Sequence, residues 1–182
     1  MGKTTDDLRL IGFEPVVGTE PRVLILGSMP SEASLAAGCY YAHPRNRFWR
    51  VVGECFGFDP TLPYKERLDA LEASGAALWD TIESCERTGS LDSAILRPQV
   101  NDFSAFFAAH PTIERVCLNG GKAAQMWRRH AVPVLTAHAI CLKIWMCAFC
   151  RQPARPTPEW DLRTCLRFGG RLCMCSQMWA KR

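Results

Sequence analysis

The 182-residue sequence predicts an α/β protein, a three-layer α/β/α sandwich on a short parallel central sheet. Two observations carry this. Short strand-like segments at 23–26, 76–79 and 115–118, the first a continuous apolar run, have the character of strands in a buried parallel sheet. Each run is followed by a turn or loop and then by a segment with helical spacing, and this alternation calls for parallel pairing with right-handed crossovers. The length suits one domain with one sizeable core.

Taken in order, residues 1–21 form a lead-in in which Gly12, Phe13 and Pro15 disfavour a long helix. The strand at 23–26 runs into Gly27-Ser28-Met29-Pro30-Ser31, which is turn chemistry. A loop then carries Tyr40, Tyr41, His43, Pro44, Asn46 and the pair Phe48-Trp49, a costly set of residues to place between two elements unless something binds there. A helix is expected from about Asn46 as its cap, with Phe48, Trp49, Val52 and Phe56 at helical spacing and Gly57 at its end. Pro63 opens a second helix, with Leu68 and Leu71 on its apolar side, that stops near Gly75. The strand at 76–79 ends at Asp80, and 84–95 reads as a polar, glycine-containing loop. Asn101-Asp102 can cap a helix over 103–109, which Pro111 ends. After the strand at 115–118, Asn119-Gly120-Gly121 turns the chain into a helix over 122–129. In parallel sheets ligands lie beyond the carboxyl ends of the strands. Residues 27–31, Asp80 onward and 119–121 are therefore expected to converge on one crevice.

The net charge of +4 is unevenly spread. Residues 139–182 hold eight Lys or Arg against Glu159 and Asp161, whereas residues 1–138 hold 14 basic and 16 acidic side chains. The larger part thus gives no bulk electrostatic argument for nucleic acid. Six of the ten cysteines and three of the six tryptophans also fall at 139–182, so the sequence divides into 1–138 and an atypical tail. No apolar run approaches the ~18 residues of a membrane span. The start MGKTTDDLRL has no apolar signal core, so a cytoplasmic protein without membrane contact is expected. Asp6 occupies the position where a myristoylation motif needs Ser or Thr.

Singly, the candidate residues have ordinary readings. The 27–31 segment fits neither a Walker nor a dinucleotide fingerprint; Asn46 can be a helix cap, Asn119 a turn former, His43 a loop histidine and Phe48 core. Their order is more specific. The turn at 27–31 followed by Tyr40-Tyr41-Ala42-His43-Pro44-Arg45-Asn46-Arg47-Phe48-Trp49 resembles the uracil-DNA glycosylase superfamily, whose mismatch-specific branch has a G-x-N-P turn ahead of a similar H-P-x-N-x-F-W stretch. With Leu78-Trp79-Asp80, the segment 84–95 and Asn119-Gly120-Gly121-Lys122-Ala123, the sequence looks closest to the deoxyinosine (hypoxanthine-DNA) glycosylase branch.

That resemblance implies a monofunctional, metal-free and cofactor-free enzyme, expected as a monomer, that acts on DNA containing a deaminated base. It would flip the nucleotide out of the duplex and hydrolyse the N-glycosidic bond. Positive charge then builds on the sugar and negative charge on the departing base, so the site needs a positioned water, dipoles facing the base and exclusion of solvent. The resemblance places the chief catalytic role on Asn46, with Asn119 as a second polar contributor. Gly27, Ser28, Met29, Pro30, Ser31, His43 and Asp80 are implied substrate contacts, and Tyr41 and Phe48 are candidate stacking surfaces for a flipped purine. The same fold acting on uracil or mismatched bases is an alternative, as is a non-catalytic remnant or Cys-rich binding module.

One superfamily feature is missing, a Leu-Pro-Ser-Thr-Ser-Pro-Ala-like loop that enters DNA after a fourth strand. Residues 149–158 (FCRQPARPTP) can be written as TTC TGC CGT CAA CCA GCC CGG CCT ACG CCA. Read from the last base of the first codon, this gives Leu-Pro-Ser-Thr-Ser-Pro-Ala-Tyr-Ala. The third bases are free, but the first two of each codon are fixed apart from degenerate arginine, and the shifted triplets match in order. The expectation is that the chain from about 139 is translated out of frame, with the last strand lost or disordered and activity weak or absent. Cys147-x-x-Cys150 and Cys173-x-Cys175 could suggest zinc, but the second pair has one intervening residue and no knuckle sequence surrounds either, so metal is not expected, and disulfides do not suit the expected compartment.

Overall fold

The computed structural model describes residues 9–137 and the backbone of 143–146. The strands are β1 (Arg9–Ile11), β2 (Val23–Gly27), β3 (Ala76–Asp80), β4 (Ile82–Glu86), β5 (Leu96–Val100), β6 (Arg115–Leu118) and β7 (Lys143–Met146). The helices are α1 (Glu32–Ala37), α2 (Phe48–Phe56), α3 (Tyr64–Ala73), α4 (Phe103–Ala109), α5 (Gly121–Met126) and α6 (Val132–Ala137).

The central sheet has the order β3-β2-β6-β7, with every pair parallel. Side chains alternate across it. Leu24, Leu26, Ala77, Trp79, Val116 and Leu118 face one core, packed with Phe103, Phe106 and Phe107 of α4 and with Trp127 and Leu135. Ile25, Ala76 and Leu78 face the other, packed with Tyr40, Phe48, Trp49, Val52 and Leu71. The result is the predicted three-layer sandwich, with both faces of the sheet sealed by helices.

A fourth parallel strand, β7, pairs with β6 from Arg115↔Lys143 to Leu118↔Met146. This corrects the expectation that the last strand is lost. An unpaired β6 edge presents a row of hydrogen-bonding groups, and the run Ile144-Trp145-Met146 has the apolar, strand-compatible character to pair with it. The remaining tail features, the Cys147/Cys150 and Cys173/Cys175 pairs and the shifted motif at 149–158, lie outside the described residues.

Local chemistry accounts for most boundaries. Asp102 accepts from the Ala105 amide at 3.0 Å at the start of α4, and Gly57 closes α2 in the left-handed region at φ +79°. α5 continues through a π-helical turn at Trp127–Ala131 into α6. Pro133, in the first turn of α6, has no amide to donate to the carbonyl of residue 129, and the wider turn before it relieves that clash.

Four elements differ from expectation. β1, β4 and β5 form a second, antiparallel sheet in the order β1-β4-β5, where the sequence suggested a lead-in and a loop. The chain leaves β3 through Thr81 and enters β4 without a turn; the Thr81 and Ile82 amides donate to the carbonyls of Gly27 and Ser28 at 2.9 and 3.0 Å. Ile82, Cys85 and Ile95 then bury a small third core with Met29 and Met126. Ser31 caps α1, accepting from the Ser34 amide at 3.2 Å, inside what read as loop.

Candidate active site

Parity places the site. Within β2 and β3, Gly27 and Asp80 share the face of Ile25 and Leu78, and they are register partners. One residue beyond β6, Asn119 falls on the face of Cys117, the same side. Three strand ends therefore deliver Gly27, Asp80 and Asn119 to one spot under the loop that leads into α2.

Glycine at 27 is required by close approach. A Cβ there would stand 2.2 Å from Asp80 Oδ1 and 2.8 Å from the Tyr41 hydroxyl oxygen. Tyr41 spans the cluster: its hydroxyl accepts from Asn119 Nδ2 at 2.9 Å, and its ring stacks on Phe48 at 3.7 Å and 13°. Its backbone is left-handed at φ +55°, an uncommon conformation for a bulky residue and one concentrated at functional sites.

Asp80 is only 4% exposed, and its Oδ2 is buried with no hydrogen-bond partner. Burial pushes the carboxyl up to about 7; the Arg87 guanidinium opposes this and the Asp92 carboxylate adds to it. Its backbone is fixed by Asn101, whose Nδ2 donates to the Asp80 carbonyl at 2.8 Å. Beside it, burial chiefly, followed by the Asp80 charge, drives the Tyr40 phenol far above its ordinary range.

Asn46 stands at the entrance to α2, exposed to solvent. Its Oδ1 accepts from the Phe48 amide at 2.9 Å, an Asx turn just ahead of the helix; the N-cap position itself is Arg47, which makes no side-chain cap bond, so the cap expected at Asn46 is replaced by this turn. His43 builds the turn beneath it: the carbonyl accepts from the Asn46 amide at 2.8 Å and Nδ1 accepts from the Arg45 amide at 3.2 Å. The phenyl ring of Phe48, 4% exposed and covered by Tyr41, takes the core alternative, which leaves Tyr41 as the stacking candidate.

The 27–31 turn divides by residue. Met29 is 7% exposed and packs in the third core. The Pro30 carbonyl accepts from Arg87 Nη2, Ser31 caps α1, and Ser28 Oγ donates to Asp92 Oδ1 at 2.7 Å. Arg87, Asp92 and Asn101 thus hold the site together and were not among the expected residues. Asn101 read as a helix cap, and only the pairing of β4 with β5 brings it to Asp80. Among the described residues no three His, Cys, Asp or Glu side chains group as metal ligands.

A doubly covered parallel sheet with a polar cluster at its carboxyl edge defines an α/β enzyme of the strand-end type. The model of the uracil DNA glycosylase superfamily matches residues 15–166, and the chain belongs to that superfamily. Two relatives named hypoxanthine DNA glycosylase are similar to it. The Methanosarcina barkeri protein is 36% identical over 115 residues, covering 63% of this chain and 73% of the relative. The Methanosarcina acetivorans protein is 37% identical over the same shares. A Methanosarcina acetivorans chain solved by NMR in solution as a candidate uracil DNA glycosylase superposes with a TM-score of 0.65 at 32% identity, covering 76% of this chain and 83% of that one.

Proposed function

We propose that this cluster is the base pocket of a DNA glycosylase that hydrolyses the N-glycosidic bond of a deaminated base, hypoxanthine foremost. The observation that supports it most is the convergence of Gly27, Asp80 and Asn119 from three strands beneath Tyr41.

The flipped purine lies against Tyr41, which Phe48 backs. A neutral Asp80 carboxyl donates and accepts at once, the pattern that matches the N–H and C=O edge of a deaminated base. Asn119 and the Tyr41 hydroxyl add dipoles as charge moves onto the departing base. Asn46 spends one Oδ1 lone pair on the Phe48 amide, and the second orients the water that attacks the sugar carbon. Gly27 keeps the floor open, and Ser28 and His43 hold the rims.

Asn46→Ala is expected to abolish hypoxanthine release from an inosine-containing oligonucleotide while circular dichroism stays that of the parent. Release at the parental rate would remove Asn46 from the mechanism. Parallel assays on inosine and uracil oligonucleotides separate a hypoxanthine enzyme from a uracil enzyme on the same fold.

A further inference from the structure

Tyr41 holds a left-handed backbone at φ +55°, and a bulky residue keeps that conformation only where its surroundings over-determine it. Side chains from three helices do so. Ahead of Tyr41, the Tyr40 amide donates to Tyr64 Oη at 2.8 Å, and the Tyr40 carbonyl accepts from Trp49 Nε1 at 3.0 Å. After it, the Ala42 amide donates to Oγ of buried Ser34 at 3.3 Å. Ser34 belongs to α1, Trp49 to α2, and Tyr64 opens α3. The Tyr40 hydroxyl adds a fourth tie, donating to the Glu14 carbonyl at 3.1 Å.

The holders are themselves fixed. Trp49 and Tyr64 meet edge to face at 5.9 Å. The Arg67 guanidinium lies 4.7 Å from the centroid of the first ring and 5.6 Å from that of the second, where each π face attracts a cation. Ser34 Oγ shares a hydrogen bond with Ser31 Oγ at 3.0 Å. Backbone bound on both sides to three helices cannot turn without breaking several bonds at once. The consequence falls on the Tyr41 ring, which stacks on Phe48 and whose hydroxyl accepts from Asn119. A surface held in its bound form before the ligand arrives removes an ordering cost from binding.

We propose that Tyr64 is a positioning residue: its hydroxyl, with Trp49 and Ser34, keeps Tyr41 set to receive the flipped base. This rests on the glycosylase reading above, in which the base lies against Tyr41. The sequence holds three tyrosines, Tyr40, Tyr41 and Tyr64, so the full chain labelled with 3-fluorotyrosine gives three fluorine resonances that substitution assigns. Single-turnover release from an inosine duplex is measured against enzyme concentration.

Tyr64→Phe keeps the ring and removes the acceptor. It is expected to leave about one molecule in five with Tyr41 in place, so the enzyme concentration at half-maximal release rises about fivefold while the rate at saturation stays within about twofold. The Tyr41 resonance moves most of the way to its position in the urea-unfolded chain. Ser34→Ala cuts the tie on the other side and is expected to act in the same direction; it decides the case if Tyr64→Phe does not fold. An unmoved Tyr41 resonance overturns the clamp, as does a moved one in a variant that matches an active parent at every enzyme concentration. If the resonance moves but the parent releases no base, the clamp stands and the glycosylase reading falls.

Discussion

Asp80 carries the sharpest consequences for pH. Its carboxyl titrates at about 7 in the fold against an ordinary 3.8, so between those values the folded state binds more protons than the unfolded one. Its effect on stability is therefore a loss as pH rises from about 4 to about 7, constant above; the interval corresponds to a penalty on the order of 4 kcal/mol for the ionised form. Asp80→Asn, which removes the charge in the same shape, is expected to melt near the parent at pH 4 and well above it at pH 8. The proposed donor role adds a second signature: parental base release falls as pH rises through about 7, and the Asn variant flattens that profile. Gly27→Ala acts on the same pocket by volume. Its methyl would press on the Asp80 carboxylate and the Tyr41 hydroxyl, costing about 1–3 kcal/mol of stability and displacing the base; a denaturant titration and a release assay check the two effects.

At the level of the element, the helices whose ends are marked by local chemistry were the legible ones. The helix at Phe103–Ala109 and the strand at Arg115–Leu118 stand where the sequence puts them, because an Asp cap and a buried apolar run are local signals. Asp102→Ala is expected to cost about 1 kcal/mol through the lost bond to the Ala105 amide, read as a shift in the denaturation midpoint with unchanged slope. β1 and β4 were illegible for the opposite reason. Arg9–Ile11 is too short to show alternation, and Ile82–Glu86 mixes Glu83, Ser84 and Glu86 with apolar residues. Its strand character comes from pairing on both edges and from Ile82 and Cys85 meeting Met29 and Met126, contacts no window of sequence contains.

For the whole molecule, β7 completes the sheet although the sequence there reads as out of frame. The frame change from about residue 139 is the proposal that accounts for the charge, cysteine and tryptophan imbalance together. Sequencing the gene across that codon tests it, and an intact frame encoding the cysteines overturns it. If the frame is restored, base release from inosine duplexes is expected to rise well above that of the chain as written.

The sequence alone determined the parallel sandwich, since buried strands followed by capped helices admit few other arrangements. It also carried the family likeness, the four ordered motifs and the crevice they approach. Tertiary structure decided which of those residues meet. The alternation of side chains sent Gly27, Asp80 and Asn119 to one face, and the turn after β2 carried Met29 into the third core. Burial turned Asp80 from an ordinary carboxylate into a group that titrates near neutrality, and the packing of Tyr41 over Phe48 made one ring core and the other a lid. These depend on distances between residues far apart in the chain, which spacing along a sequence does not encode.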